Sequence, residues 1–133
     1  MNCNKALISG IIIACCALTI TSCKRKDDVN IGGKGGNVTL HVMPQHHNDY
    51  IDSCTIYIRY NSKTAATAYD DSAKCMQVNN KSVATFSGLK KGDYYLEGKG
   101  WDPGIAEAVK GGTSVTITEE KEYDIFVAVT EDH

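Results

Sequence analysis

From residue 38 onward, apolar side chains recur at every second position. Val38, Leu40 and Val42 alternate with Thr39, His41 and Met43 up to Pro44. Cys54, Ile56, Ile58 and Tyr60 alternate in the same way with Thr55, Tyr57 and Arg59. A period of two places one set of side chains on each face of a pleated strand, and the β-branched content favours that conformation. Further short strands are expected around residues 75–78, over 83–86, at Tyr94, Leu96 and Gly98, at Val115 and Ile117, and at Ile125, Val127 and Val129. No window of about 11 residues keeps a helical period with start and stop signals. The segment "GIAEAVKGG" offers one turn of helix at most. The polar run "NSKTAATAYDDSAK" is expected to be a long loop. "VNNKS" reads as a turn, with Asn79 and Asn80 suited to positive φ. The reading is an all-β domain: a single seven-stranded antiparallel β-sandwich.

Residues 84–102, "ATFSGLKKGDYYLEGKGWD", narrow that class. They resemble the turn-and-strand signature of prealbumin-like Greek-key sandwiches, including the carboxypeptidase regulatory-like and Cna-B-type repeats. The resemblance implies that Phe86 enters the core, Leu89 caps its lower end and Gly92 makes a tight turn. It further implies that Tyr94 and Leu96 fill the next strand and that Gly100-Trp101 closes it. "YDIFVAVTE" fits the last strand of such a domain. Domains of this kind carry many functions, so the resemblance bears on fold.

The N-terminus bears on location. Lys5 is followed by an uncharged, mostly apolar run from Ala6 to Ile20. This is short for a membrane span, which needs roughly 20 residues, and suits the apolar region of a secretory signal. Ile20-Thr21-Ser22-Cys23 resembles the lipobox of bacterial lipoproteins. The resemblance implies cleavage after residue 22, a diacylglycerol thioether on Cys23 and acylation of the new amine, enough acyl chains for stable anchoring. Lys26, Asp27 and Asp28 resemble the export signal of surface lipoproteins in some Gram-negative groups, with Lys24 and Arg25 intervening. That implies an outer-membrane anchor facing the cell exterior; a periplasm-facing anchor is the alternative. The expected organisation is a signal peptide at 1–22, a lipidated flexible tether at 23–36 and the sandwich at 37–133. The tether rests on "VNIGGKGGN", whose glycines retain backbone freedom and lack the ending of a phosphate-binding loop.

Loss of residues 1–22 removes one cation, Lys5, and no acid, taking the formal charge from −2 to −3. No clustered basic face is present, so nucleic acid is not an expected partner. Of six cysteines, Cys3, Cys15 and Cys16 leave with the signal and Cys23 is lipidated. Cys54 and Cys75 remain, an even pair in an oxidising compartment. A disulfide closing this loop of about 20 residues would contribute roughly 3 kcal/mol.

Candidate chemistry is sparse. His46 and His47, with His41 on the preceding strand, are types that bind copper or zinc, and two exposed turn histidines are the alternative. Asp70 and Asp71 fall short of a calcium loop. Asp71-Ser72-Ala73 is similar to a short acceptor motif for O-glycans on exported bacterial proteins, marking Ser72. Tyr57, Tyr95 and Trp101 are expected to face outward, where aromatics stack on sugars or anchor protein partners. No nucleophile elbow or zinc-protease motif is present. The expectation is a non-enzymatic binding or accessory module without a cofactor, engaging an envelope or extracellular protein or glycan. The alternatives are a small metal-handling lipoprotein and a purely structural envelope protein.

Overall fold

The computed structural model describes residues 31–132. The expected signal peptide, Cys23 and the Lys26-Asp27-Asp28 segment lie outside the described residues. Ten strands follow in order: β1 (Lys34–His46), β2 (Asp49–Tyr50), β3 (Ser53–Tyr60), β4 (Asp71–Lys74), β5 (Met76–Val78), β6 (Lys81–Leu89), β7 (Gly92–Asp102), β8 (Glu107–Ile117), β9 (Glu122–Ala128) and β10 (Thr130–Glu131). No helix occurs among the described residues.

The strands form two sheets. The first has the order β2-β1-β6-β5, with β9 added against β1; the second has the order β10-β8-β7-β3-β4. All pairings are antiparallel except β1 with β9, which run parallel from Thr39 opposite Glu122 to Gln45 opposite Ala128. The inner faces meet in one core. Val38, Leu40 and Val42 of β1 pack with Ala84, Phe86 and Leu89 of β6 on one side. Ile56, Ile58, Tyr94, Leu96, Val109 and Ile117 pack from the other. The alternating positions expected to be inside are therefore inside, and Phe86, Leu89, Tyr94 and Leu96 are all buried. The domain is an all-β sandwich.

Two-residue hairpins set the register at two places. His47 and Asn48 have φ of 50° and 71° between paired His46 and Asp49, and Asn79 and Asn80 have φ of 51° and 66° between paired Val78 and Lys81. Positive φ at both central residues is the turn whose twist matches that of paired strands, so Asn79-Asn80 behaves as expected. Gly92, at φ 151°, opens β7 in a conformation that favours glycine. Gly111 of β8 faces the carbonyl of Ala128, and a Cβ there would collide with it.

Four expectations differ. Ten strands stand where seven were expected, and β1 pairs with β9 in parallel within the otherwise antiparallel sheets. The glycine-rich segment was expected to be tether to residue 36, yet the ordered domain begins earlier. Gly32 N–H donates to Asn61 Oδ1 at 2.6 Å, Gly33 N–H donates to Tyr94 Oη at 2.8 Å, and β1 starts at Lys34. Composition signalled flexibility, but these amides find partners on other strands. The polar run after Tyr60 is not all loop, because Asp71–Lys74 pairs with β3 and supplies an edge strand. The "GIAEAVKGG" region is not helical. It enters β8, where Gly111 and Gly112 lie opposite Gly98 and Glu97.

Candidate functional site

β1 spans 13 residues, but Lys34 and Val38 both stand opposite Leu89, so its extended run is Val38 to His46, about 26 Å at 3.3 Å per residue. Its first residue lies at the pole where the chain enters the domain. Its last, His46, lies at the opposite pole, together with the end of β7 at Trp101 and Asp102. The hairpin at 47–48 explains how His46 comes to be inside. Val38, Leu40, Val42, Pro44 and His46 share one parity along β1, and the turn begins only after His46. A histidine thus takes the last core-facing position, with only 2 % of its surface exposed.

Two carboxylates from the other sheet meet this ring. His46 Nδ1 lies 2.7 Å from Asp102 Oδ2, at the end of β7. Nε2 is directed at Glu131 Oε2 of β10, 3.4 Å away, an ion pair without hydrogen-bond geometry. The hydrogen bond to Asp102 raises the His46 pKa above its ordinary value, burial opposes the rise, and Glu131 adds to it. The same bond lowers the Asp102 carboxyl, helped by the Gly104 amide, which donates to Asp102 Oδ1 at 2.8 Å. Glu131 is lowered first by its own backbone amide and then by His46. The group is an imidazole between two carboxylates, an arrangement that favours its protonated form, and it ties the first sheet to the second.

A cavity of about 480 Å³ opens beside this triad. Its lining includes Asp49, Tyr50, Asp52, Trp101, Asp102 and Ile105. Trp101 is 48 % exposed and Ile105 is also exposed, so an aromatic and an aliphatic surface face solvent at this pole. A larger open groove of about 730 Å³ lies on the second sheet. It is lined by Tyr57, Tyr69, Asp71, Ser72, Glu97 and Lys99 among others, and the Lys99 ammonium lies 5.4 Å from the Tyr57 ring. Ser72 is exposed, on edge strand β4 and not in a loop. Asp70 and Asp71 are engaged locally: Tyr60 N–H donates to Asp70 Oδ2 at 2.7 Å, and Ser72 N–H donates to Asp71 Oδ1 at 2.8 Å.

The histidines do not converge. His41 lies five positions before His46 on β1 and on the opposite face, and its Nε2 meets Glu122 Oε1 at 2.7 Å. His47 stacks on His46 with ring centroids 4.0 Å apart. Among the described residues, no group of three or more His, Cys, Asp or Glu side chains is arranged to hold a metal ion. Strand parity places His41 on the face opposite His46, and the alternative reading of His46 as an exposed turn residue is corrected by its burial. Parity along β1 was the available signal for His46. Nothing local points to Asp102 or Glu131, which the topology brings from distant strands.

Cys54 and Cys75 do come together. The Cys75 amide donates to the Cys54 carbonyl at 2.9 Å, and both side chains are thiols in this structure. The Cys54 thiol is held up first by its hydrogen bond to Cys75 and then by burial. The same bond lowers Cys75, against the opposing effect of burial.

No family model and no curated protein matches this chain.

Proposed function

We propose that this chain is a lipid-anchored envelope protein whose prealbumin-like sandwich is a non-enzymatic binding or accessory module. Its anchor is the lipid on Cys23, and it is displayed on the outer face of the outer membrane. The observation that carries the reading is polar separation. The chain enters at one end of β1, and the cavity beside exposed Trp101 lies at the other end, about 26 Å away along the Val38–His46 run. A tethered domain built this way holds an aromatic-lined surface away from its attachment. Trp and Tyr are the side chains that most often anchor partners, because they bury large area with little loss of rotamer freedom. In an oxidising compartment Cys54 and Cys75 pair as a disulfide, and Ser72 is an accessible acceptor for a glycan.

Two readouts on protein in its own cells test this. Intact mass of the membrane-extracted protein is expected to show a chain starting at acylated Cys23, two hydrogens lighter for Cys54–Cys75, with any glycan on Ser72 as added mass. An unlipidated chain overturns the anchor. A photo-crosslinking residue at position 101 is expected to give a discrete adduct that the same residue at position 91, near the entry pole, does not. Equal labelling from both positions, or none from either, overturns the binding module.

A further inference from the structure

Register decides what stands on the outer face of the second sheet. Tyr57 of β3 is opposite Ser72 of β4 on one side and Glu97 of β7 on the other. One row along, Lys99 of β7 is opposite Lys110 of β8. All five point away from the core by strand parity and floor the groove of about 730 Å³. The wall of the groove is the loop between β3 and β4, which contributes Thr67 and Tyr69. That wall is braced against β3. Arg59 Nη1 donates to the Ala68 carbonyl at 2.7 Å, and the Asp70 amide donates to the Ile58 carbonyl at 2.9 Å. The Tyr69 ring leans on Tyr57, with centroids 5.7 Å apart. A pre-formed groove leaves more of its contact energy to a ligand, because little has to be ordered on binding.

The charges of the groove are already matched within the chain. Glu97 Oε1 lies 3.4 Å from the Lys99 ammonium, Lys110 lies 3.0 Å from Asp132, and Asp71 lies 3.7 Å from Lys34. Asp70 is held by the Tyr60 amide. An ionic ligand of either sign would have to break one of these pairs, and an apolar ligand would desolvate them without compensation. A neutral polyhydroxyl ligand does neither. The Glu97 carboxylate and the Lys99 ammonium set an acceptor beside a donor. Adjacent hydroxyls of a sugar ring, each able to give and to take, bridge the two. The Glu97 side chain is only 15 % exposed, so these bonds form away from bulk water, where they are stronger. The C–H face of the sugar packs on the Tyr57 ring, in the place now held by the exposed Lys99 ammonium 5.4 Å from its centroid.

We propose that this groove binds a neutral oligosaccharide, with Tyr57 as the stacking platform and Glu97 and Lys99 as the clamp on its hydroxyls. Its lining shares no residue with the cavity at Trp101, so it is a second surface and does not rest on the first. The test uses the full processed protein, taken from its own membrane in a detergent without a sugar headgroup. It carries Ser72→Ala throughout, so that no glycan attached at that position fills the groove. The labelled protein is read on a printed array of neutral and anionic oligosaccharides, and the strongest neutral one is titrated by calorimetry. Retention of neutral oligosaccharides is expected. Tyr57→Ala and Glu97→Gln should each weaken the titrated binding about tenfold or more, and Trp101→Ala should leave it unchanged. Glu97→Gln keeps the shape of the side chain, so an unchanged circular dichroism spectrum separates lost recognition from lost fold. No oligosaccharide held at millimolar concentration, or anionic ones alone, overturns the proposal. So does binding that is indifferent to Tyr57→Ala and Glu97→Gln, or that is lost in Trp101→Ala instead.

Discussion

The two poles of the sandwich are closed by different chemistry. At the entry pole, the fully buried Tyr94 hydroxyl accepts from Gly33 N–H and donates to the Lys90 carbonyl at 2.6 Å, while Asn61 holds Gly32. The groups that make this closure are neutral, and the charges nearby, such as Lys34 with Asp71, are exposed. At the far pole the closure is ionic, His46 between Asp102 and Glu131. A neutral closure depends little on pH or salt, whereas an ionic one is set by protonation. The domain therefore has a fixed end, where the chain enters, and a titratable end beside the cavity at Trp101.

The strongest way to break this contrast is at Tyr94. Tyr94→Ala removes the largest fully buried side chain and is expected to destabilise by about 3–5 kcal/mol, read by chemical denaturation. Tyr94→Phe isolates the hydroxyl: it leaves the Gly33 amide without its partner and should cost about 1–3 kcal/mol by the same measurement. That loss should be the same at pH 5 and pH 8, and a loss that changes with pH would remove the distinction between the poles. Reduction of oxidised protein should lower stability by roughly 3 kcal/mol, the worth of the Cys54–Cys75 loop, compared in denaturant with and without reductant.

A pH series sharpens the other side. The folded-state pKa of His46 is raised, so its contribution is fully present below the unfolded value of 6.5 and is lost as pH rises through the folded value. Melting temperature should therefore fall across that window in wild type, and the fall should flatten in His46→Gln. Asp102 and Glu131 are lowered, so their contribution is present above their unfolded values and lost as acid titrates them. The ionic pole is thus most stable between the carboxylate and imidazole titrations. The smallest effect is expected at Ala106, which holds φ 56° in the loop after Asp102. Ala106→Gly should stabilise by about 1 kcal/mol at most, seen as a small rise in denaturation midpoint.

The core was legible because burial repeats at every second residue and each strand declares its inward face. The prediction weakens where a strand lacks that contrast. In β8 the alternation of Val115 and Ile117 is interrupted by Gly111 and Gly112, and β4, reading "DSAK", presents none. The start of the domain was misjudged because Gly32 and Gly33 signal freedom, while their partners, Asn61 and Tyr94, are set by topology. The histidine cluster shows the same limit. Adjacency suggested a shared ligand, but parity separates His41 from His46, and the groups that engage His46 come from β7 and β10.

The parallel pairing of β1 with β9 has a consequence for how the chain matures. β1 is the first of the described strands, yet one side of it, from Thr39 to Gln45, is completed only by residues 122–128. Contacts of such long sequence separation form late and slow folding, because a large loop must close before they yield any stabilisation. The nascent domain therefore stays open until nearly its last residues have been synthesised. Under the export proposed above, that delay would keep the chain threadable, and deletion of β9 and β10 should leave β1 with a bare edge prone to aggregation.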